Sequence, residues 1–97
     1  MKRLSETSAL MNSADYKERF EAEYYQLEYR YVKLVQMVRK WDVGELNFTP
    51  TCSREIYDKQ LEYMKGYLHC LLDRAIIENV HLELDSEIQS QFSIKAC

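Results

Sequence analysis

Residues 16–41, YKERFEAEYYQLEYRYVKLVQMVRKW, decide the fold. Phe20, Tyr24, Leu27, Tyr31, Leu34, Val38 and Trp41 recur at alternating spacings of four and three, which is the heptad seam of one helix face. Glu21, Glu23, Glu28, Arg30, Lys33, Arg39 and Lys40 fill the positions between, and no Gly or Pro interrupts the run from Tyr16 to Val43. The spacing predicts a long amphipathic helix that needs a partner for its seam.

Upstream, Ser13 or Asp15 can cap this helix, with Asp15 and Glu18 favourably placed at its positive end. Residues 1–12 show no periodicity and are expected to form a loose arm. Downstream, Lys40 and then Gly44 mark a C-terminus near residues 41–43. Leu46 and Phe48 in the connector are expected to tuck against the helix ends. Ser53 is the preferred cap of a second helix, since Pro50 cannot lie far inside one. In that helix Tyr57, Leu61, Met64, Leu68, Leu71 and Ala75 repeat the spacing in register to face the first seam. The expected fold is therefore all-α, an antiparallel two-helix hairpin over residues 13–79 with a coiled-coil-like seam. Residues 80–97 form a tail: Val80, Leu82 and Leu84 alternate like a strand, but a frayed helix end is favoured, followed by a short third helix starting at Asp85 or Ser86.

Each helix carries a second apolar stripe. On the second helix Ile56, Tyr63, Cys70 and Ile77 recur every seven residues with Tyr67 on the same flank; on the first, Tyr25, Val32 and Val35 lie off the main seam with Tyr29 close by. A two-helix hairpin buries one seam only, so the extra stripes predict a homo-oligomer. Gly66, in mid-helix at a cost of about 1 kcal/mol relative to Ala, points to close backbone approach or a bend.

The 97 residues, 46% apolar and 30% charged, suit one small globular domain. A net charge of −3 disfavours duplex nucleic acid and anionic membranes as partners, although a local basic patch can still hold a small anion. No stretch has the length and apolarity of a membrane span or the core of a signal peptide. Cys52, Cys70 and Cys97 show no paired spacing, which suggests reduced thiols in a cytoplasm. The eight tyrosines all fall in the two helices and suit half-buried interfaces or base stacking.

No catalytic set is evident: there is no Ser/His/Asp grouping, no glycine-rich phosphate loop and no convergent pair of carboxylates, so an enzyme is not expected. His69 and Asp73, one turn apart beside Cys70, lack a third ligand and read as a surface pair; no metal or cofactor is expected. Glu18, Glu21, Glu23 and Glu28 read as a solvated acidic face, with an ion pair from Glu23 to Arg30. Tyr29, Arg30, Lys33 and Met37, with Tyr16 upstream, combine stacking surface and cationic donors as a nucleotide requires. Arg74, flanked by Gln60 and Tyr67, can add to such a site at a subunit junction. An ordinary solvated helix face, a protein-docking module and a structural coiled coil remain open from these residues alone.

The stretches Glu18-Arg19-Phe20 through Glu23, Leu27, Arg30, Lys33 and Leu34, and then Gln60 through Lys65, Tyr67, Leu71 and Arg74, resemble a family of small phage proteins named after crAss-like phages. In size and helical plan that family is similar to the anti-CBASS sponges, which sequester cyclic oligonucleotide immune signals. The resemblance implies a compact homo-oligomer, often hexameric, in the cytoplasm of an infected bacterial host. It also implies junctions that clamp a cyclic di- or trinucleotide without cleaving it. An aromatic near the start of the first helix and a lysine farther along a neighbour's helix would contact base and phosphate, and Tyr16 and Lys33 are the nearest candidates. The ligand-binding set is then Tyr16, Tyr29, Arg30, Lys33 and Arg74. The connector 42–53 and the segment after Asn79 lie outside the resemblance.

Overall fold

The computed structural model describes residues 1–92; Cys97 and the end of the expected tail lie outside them. The described chain is all-helical, with no strands. A 3-10 turn, Leu4–Thr7, leads into the short helix α1, Ser8–Met11; α2 spans Tyr16–Asp42, α3 Arg54–Ile77 and α4 Ser86–Phe92.

Local chemistry sets the ends of the long helices. Asp15 accepts a hydrogen bond from the Lys17 amide at 2.9 Å, and Ser13 in turn accepts from the Asp15 amide. Ser53 caps α3 through the Ile56 amide at 3.4 Å. Beyond α2, Gly44 takes φ of +75°, the left-handed conformation that closes a helix without a Cβ penalty. Asn79 takes φ of 55° just past α3, using the tolerance of its short polar side chain for that region. Contacts between α2 and α3 run in opposite directions along the chain. Tyr16 meets Arg74 and Glu78, Glu23 meets Tyr67, and Trp41 packs edge-to-face on Tyr57.

The seam residues Phe20, Tyr24 and Tyr31 share one core with Leu68, Leu71 and Ala75, and Val38 is buried farther along the seam. Each fully buried Leu, Ile or Phe contributes about 1.5–3 kcal/mol. The second stripe of α2 is buried as well, and the chain's own ends bury it. Tyr25, Val32 and Val35 join one core with Ile88 of α4 and with Leu10, Val80, Leu82, Leu84 and Phe92. Residues 80–84 have no regular secondary structure and are not a frayed continuation of α3. Their alternation presents Val80, Leu82 and Leu84 to the helices and leaves His81 and Glu83 exposed.

The N-terminal segment is also ordered where a loose arm was expected. Thr7 is fully buried, its hydroxyl donating to the Leu4 carbonyl at 2.6 Å and accepting from Gln26 at 3.0 Å. A single polar anchor with Leu10 behind it docks eight residues that have no readable period. In the connector Leu46 is half-buried as expected, but Phe48 is 53% exposed.

Glu28 departs from the expected acidic face, because it is fully buried. Its Oε2 accepts from the Tyr24 hydroxyl at 2.7 Å and from the Asp85 amide at 3.1 Å, while Oε1 has no partner among the described residues. Next to it the Tyr25 hydroxyl accepts from the Glu83 amide at 2.9 Å. These two side chains of α2 therefore hold the backbone of residues 83–85, giving amides with no strand to pair with their hydrogen bonds. Burial, first of all, raises the pKa of Glu28, and the same cause, helped by Glu28 itself, pushes the Tyr24 phenol well up.

Candidate functional site

The five residues expected to bind a ligand fall into two groups. Tyr16 and Arg74 meet where the start of α2 lies beside the end of α3. Arg74 Nη2 donates to the Tyr16 hydroxyl at 2.7 Å, and that hydroxyl donates to Glu78 at 3.3 Å. The guanidinium stacks 4.7 Å from the Phe20 ring centroid and lies 3.7 Å from Glu23 and 3.8 Å from Glu78. Tyr67 completes the cluster by donating to Glu23. The bond to Tyr16 and the flanking carboxylates raise the pKa of Arg74. Glu23 thus pairs across the helices rather than with Arg30 as expected, because Arg74 offers a cation on the facing helix. The tyrosine rings stay available, with Tyr16 and Tyr67 each 46% exposed.

Tyr29 and Lys33 lie elsewhere on α2. At about 1.5 Å per residue they stand roughly 20–25 Å along the axis from Tyr16, and Lys33 Nζ sits 5.6 Å from the Tyr29 ring centroid. Lys33 also lines a cavity of about 290 Å³ with Gln36, Met37, Lys40, Glu45, Leu46, Asn47 and Phe48. Arg30, next to Tyr29 in sequence, is exposed and lines no part of the Lys33 cavity. A single chain therefore does not bring the five residues together.

Lys40, Asn47 and Phe48 lie outside the expected ligand-binding set. Lys40 lies seven residues after Lys33 and so shares its face, which was readable; Asn47 and Phe48 arrive from the connector, whose path has no periodicity to read. The Lys33 cavity offers two ammonium groups, two amides and an aromatic ring within one concavity beside the carboxylate of Glu45, and its cations, amides and ring suit a phosphate joined to a flat ring. A second cavity, of about 360 Å³ between α3 and residues 80–92, is mainly apolar; His69, stacked 4.4 Å from Phe92, and Asp73 stand at its edge. Among the described residues no three His, Cys, Asp or Glu side chains are grouped to hold a metal, and no helix is long and apolar enough to cross a membrane.

Neither the curated proteins nor the solved structures compared with this chain give a match. The Sequestin family matches residues 14–77, about two thirds of the chain, which covers α2, the connector and α3 with both groups of candidate residues. By that match the chain belongs to the Sequestin family, whose name denotes sequestration, a binding role rather than catalysis.

Proposed function

We propose that this protein is a phage anti-defence protein that binds a cyclic nucleotide immune signal between subunits and withholds it without cleavage. Membership of the Sequestin family carries the reading, and the phage setting and the ligand class follow the resemblance to crAss-like-phage proteins and anti-CBASS sponges. The two-part layout of the site fits a junction. Lys33 and Lys40 hold phosphate oxygens in the cavity closed by Phe48 and bordered by Tyr29, with Arg30 at its approach. Tyr16 of a neighbouring subunit stacks on a base, worth about 1–3 kcal/mol. Arg74, already engaged by Glu23 and Glu78, serves chiefly to aim the Tyr16 ring. Sequestration then works by titration: enough tight binder lowers free signal below the threshold of a host effector.

The test is native mass spectrometry of the protein alone and with a panel of cyclic di- and trinucleotides, followed by recovery of the nucleotide. An oligomer gaining a defined nucleotide mass and returning it intact is the expected result. Lys33→Glu should weaken uptake at least tenfold with the oligomer unchanged. Uptake of none of the panel, or release of cleaved product, would overturn the reading.

A further inference from the structure

Resting on the reading that this protein binds its ligand as a self-assembly, we infer that α3 pairs antiparallel with α3 of a second copy about a two-fold axis passing between Gly66 and Tyr67. The pairing sets the Lys40 end of one subunit level with the Tyr16 and Arg74 cluster of the other.

Residues 80–92 and the N-terminal segment cover the second stripe of α2, and among the described residues that of α3 stays bare. Ile56, Tyr63, Tyr67 and Ile77 are 51%, 74%, 46% and 81% exposed, and Cys70 is exposed among them. They share one face over three heptads, about 32 Å of helix. Apolar strips of this length on a small protein mark an interaction surface.

The order of residues selects the occupant. An isologous two-fold contact requires that whatever residue i meets also meets residue i of the other copy. Ile56 and Ile77 stand equally far from the midpoint between Gly66 and Tyr67, and so do Tyr63 and Cys70. At that midpoint Gly66 would find nothing within 4 Å of an added Cβ, so no packing among the described residues accounts for the missing side chain. A tyrosine ring from the facing helix fits over bare backbone.

The charges agree with this direction and oppose the other. Lys59 and Asp73 make no ion pair within the chain among the described residues. In the antiparallel pairing Lys59 falls level with Arg74 of the partner subunit, whose charge Glu23 and Glu78 already offset, and within one residue of the level of its Asp73. A parallel pairing would set Lys59 against its own copy, and Asp73 likewise. Within one chain Tyr16 is level with Glu78, and Trp41 with Tyr57. The antiparallel pairing therefore carries Lys40 of the partner subunit to the level of Tyr16. A ligand that spans the α3 pair at that level would meet both halves of a site that one chain leaves divided.

The decisive experiment is cysteine cross-linking. In a Cys52→Ser, Cys97→Ser background, Tyr63→Cys should give covalent dimers with Cys70 of the other copy on mild oxidation. The same background with Cys70 alone should give few, since the two Cys70 positions lie about 10 Å apart along the axis, beyond disulfide reach. Gly66→Gln should keep the helix content, because Gln is the better helix former, yet weaken dimerisation at least tenfold in sedimentation. A monomer at 100 µM, stronger cross-linking through Cys70 alone, or self-cross-linking of Ile56→Cys would overturn the pairing. Nucleotide uptake is scored separately on the cross-linked dimer. Dimers without uptake sink sequestration and keep the pairing, whereas uptake without the cross-link sinks the pairing and keeps sequestration.

Discussion

Glu28 offers the sharpest physical test of the fold, because a fully buried carboxyl with one unpartnered oxygen makes stability depend on pH in a definite direction. Its pKa is raised by burial, so the folded protein holds this proton more tightly than the unfolded chain does. The sign follows from linkage: the stabilising contribution is complete below the ordinary carboxyl value of 4.5 and is lost as pH rises through the folded value. Glu28→Gln removes the titration while keeping an oxygen to accept from Tyr24 and the Asp85 amide. The stability of the Gln variant relative to wild type should therefore climb with pH, at a limiting slope of about 1.4 kcal/mol per pH unit for one proton. It should become level above the folded pKa.

Glu28→Ala supplies the opposite arm. It strands the Tyr24 hydroxyl and the Asp85 amide, at about 1–3 kcal/mol each. For a domain of this size every kcal/mol lowers Tm by roughly 4–8 °C. Urea melts of the three proteins from pH 4.5 to 8.5, fitted with a common m-value, measure both effects. A Gln-minus-wild-type difference independent of pH, or an Ala variant less than about 1 kcal/mol weaker, would show that Glu28 is solvated and does not hold residues 83–85.

Other perturbations test the remaining supports. Arg39 makes a two-pronged ion pair with Glu87, which holds that carboxyl's pKa low; this stability is present above the ordinary value of 4.5 and is lost as pH falls through the folded value. Arg39→Ala should cost only about 0.5–1 kcal/mol in melts at pH 7, because the Arg39 side chain is 62% exposed, and the cost should fade in acid. Thr7→Val keeps the volume but removes both hydrogen bonds of the buried hydroxyl. It should destabilise by about 1–2 kcal/mol, with hydrogen exchange accelerated first in residues 4–11. Gly44→Ala should cost about 1 kcal/mol in Tm measurements, since its φ of +75° penalises any Cβ.

The parts legible in the sequence are those that repeat. Heptad spacing and caps placed α2 and α3 to within a residue or two, with Asp15, Ser53 and Gly44 at their ends. The start of α4 after Asp85 was readable for the same reason, and Asp85 accepts from the Glu87 amide at 2.9 Å. Docking of residues 4–11 was not readable, since it turns on one hydroxyl reaching Gln26 nineteen positions away. Nor was burial of Glu28: a carboxylate among Glu18, Glu21 and Glu23 carries no local mark that the chain will return amides to it from residue 85. The candidate site shows the same division. Lys33 and Tyr29 meet as helix neighbours, whereas Asn47 and Phe48 enter the cavity through a connector without a pattern.

This division bears directly on self-assembly. By spacing alone each long helix carries one stripe beyond the shared seam, and both stripes point to a partner subunit. Burial of Tyr25, Val32 and Val35 under the 80–92 segment withdraws half of that argument, because the chain itself supplies the cover. The other half becomes sharper. Residues 80–92 wrap α2 and the inner face of α3, so Ile56, Tyr63 and Ile77 are left on a single continuous edge. On the pairing inferred above, this edge with a glycine at its centre gives one two-fold contact through α3. A hexamer would then need a second interface, and Phe48 and Val43 at one end of the molecule and Ile76 at the other are exposed apolar side chains that the α3 contact leaves unused.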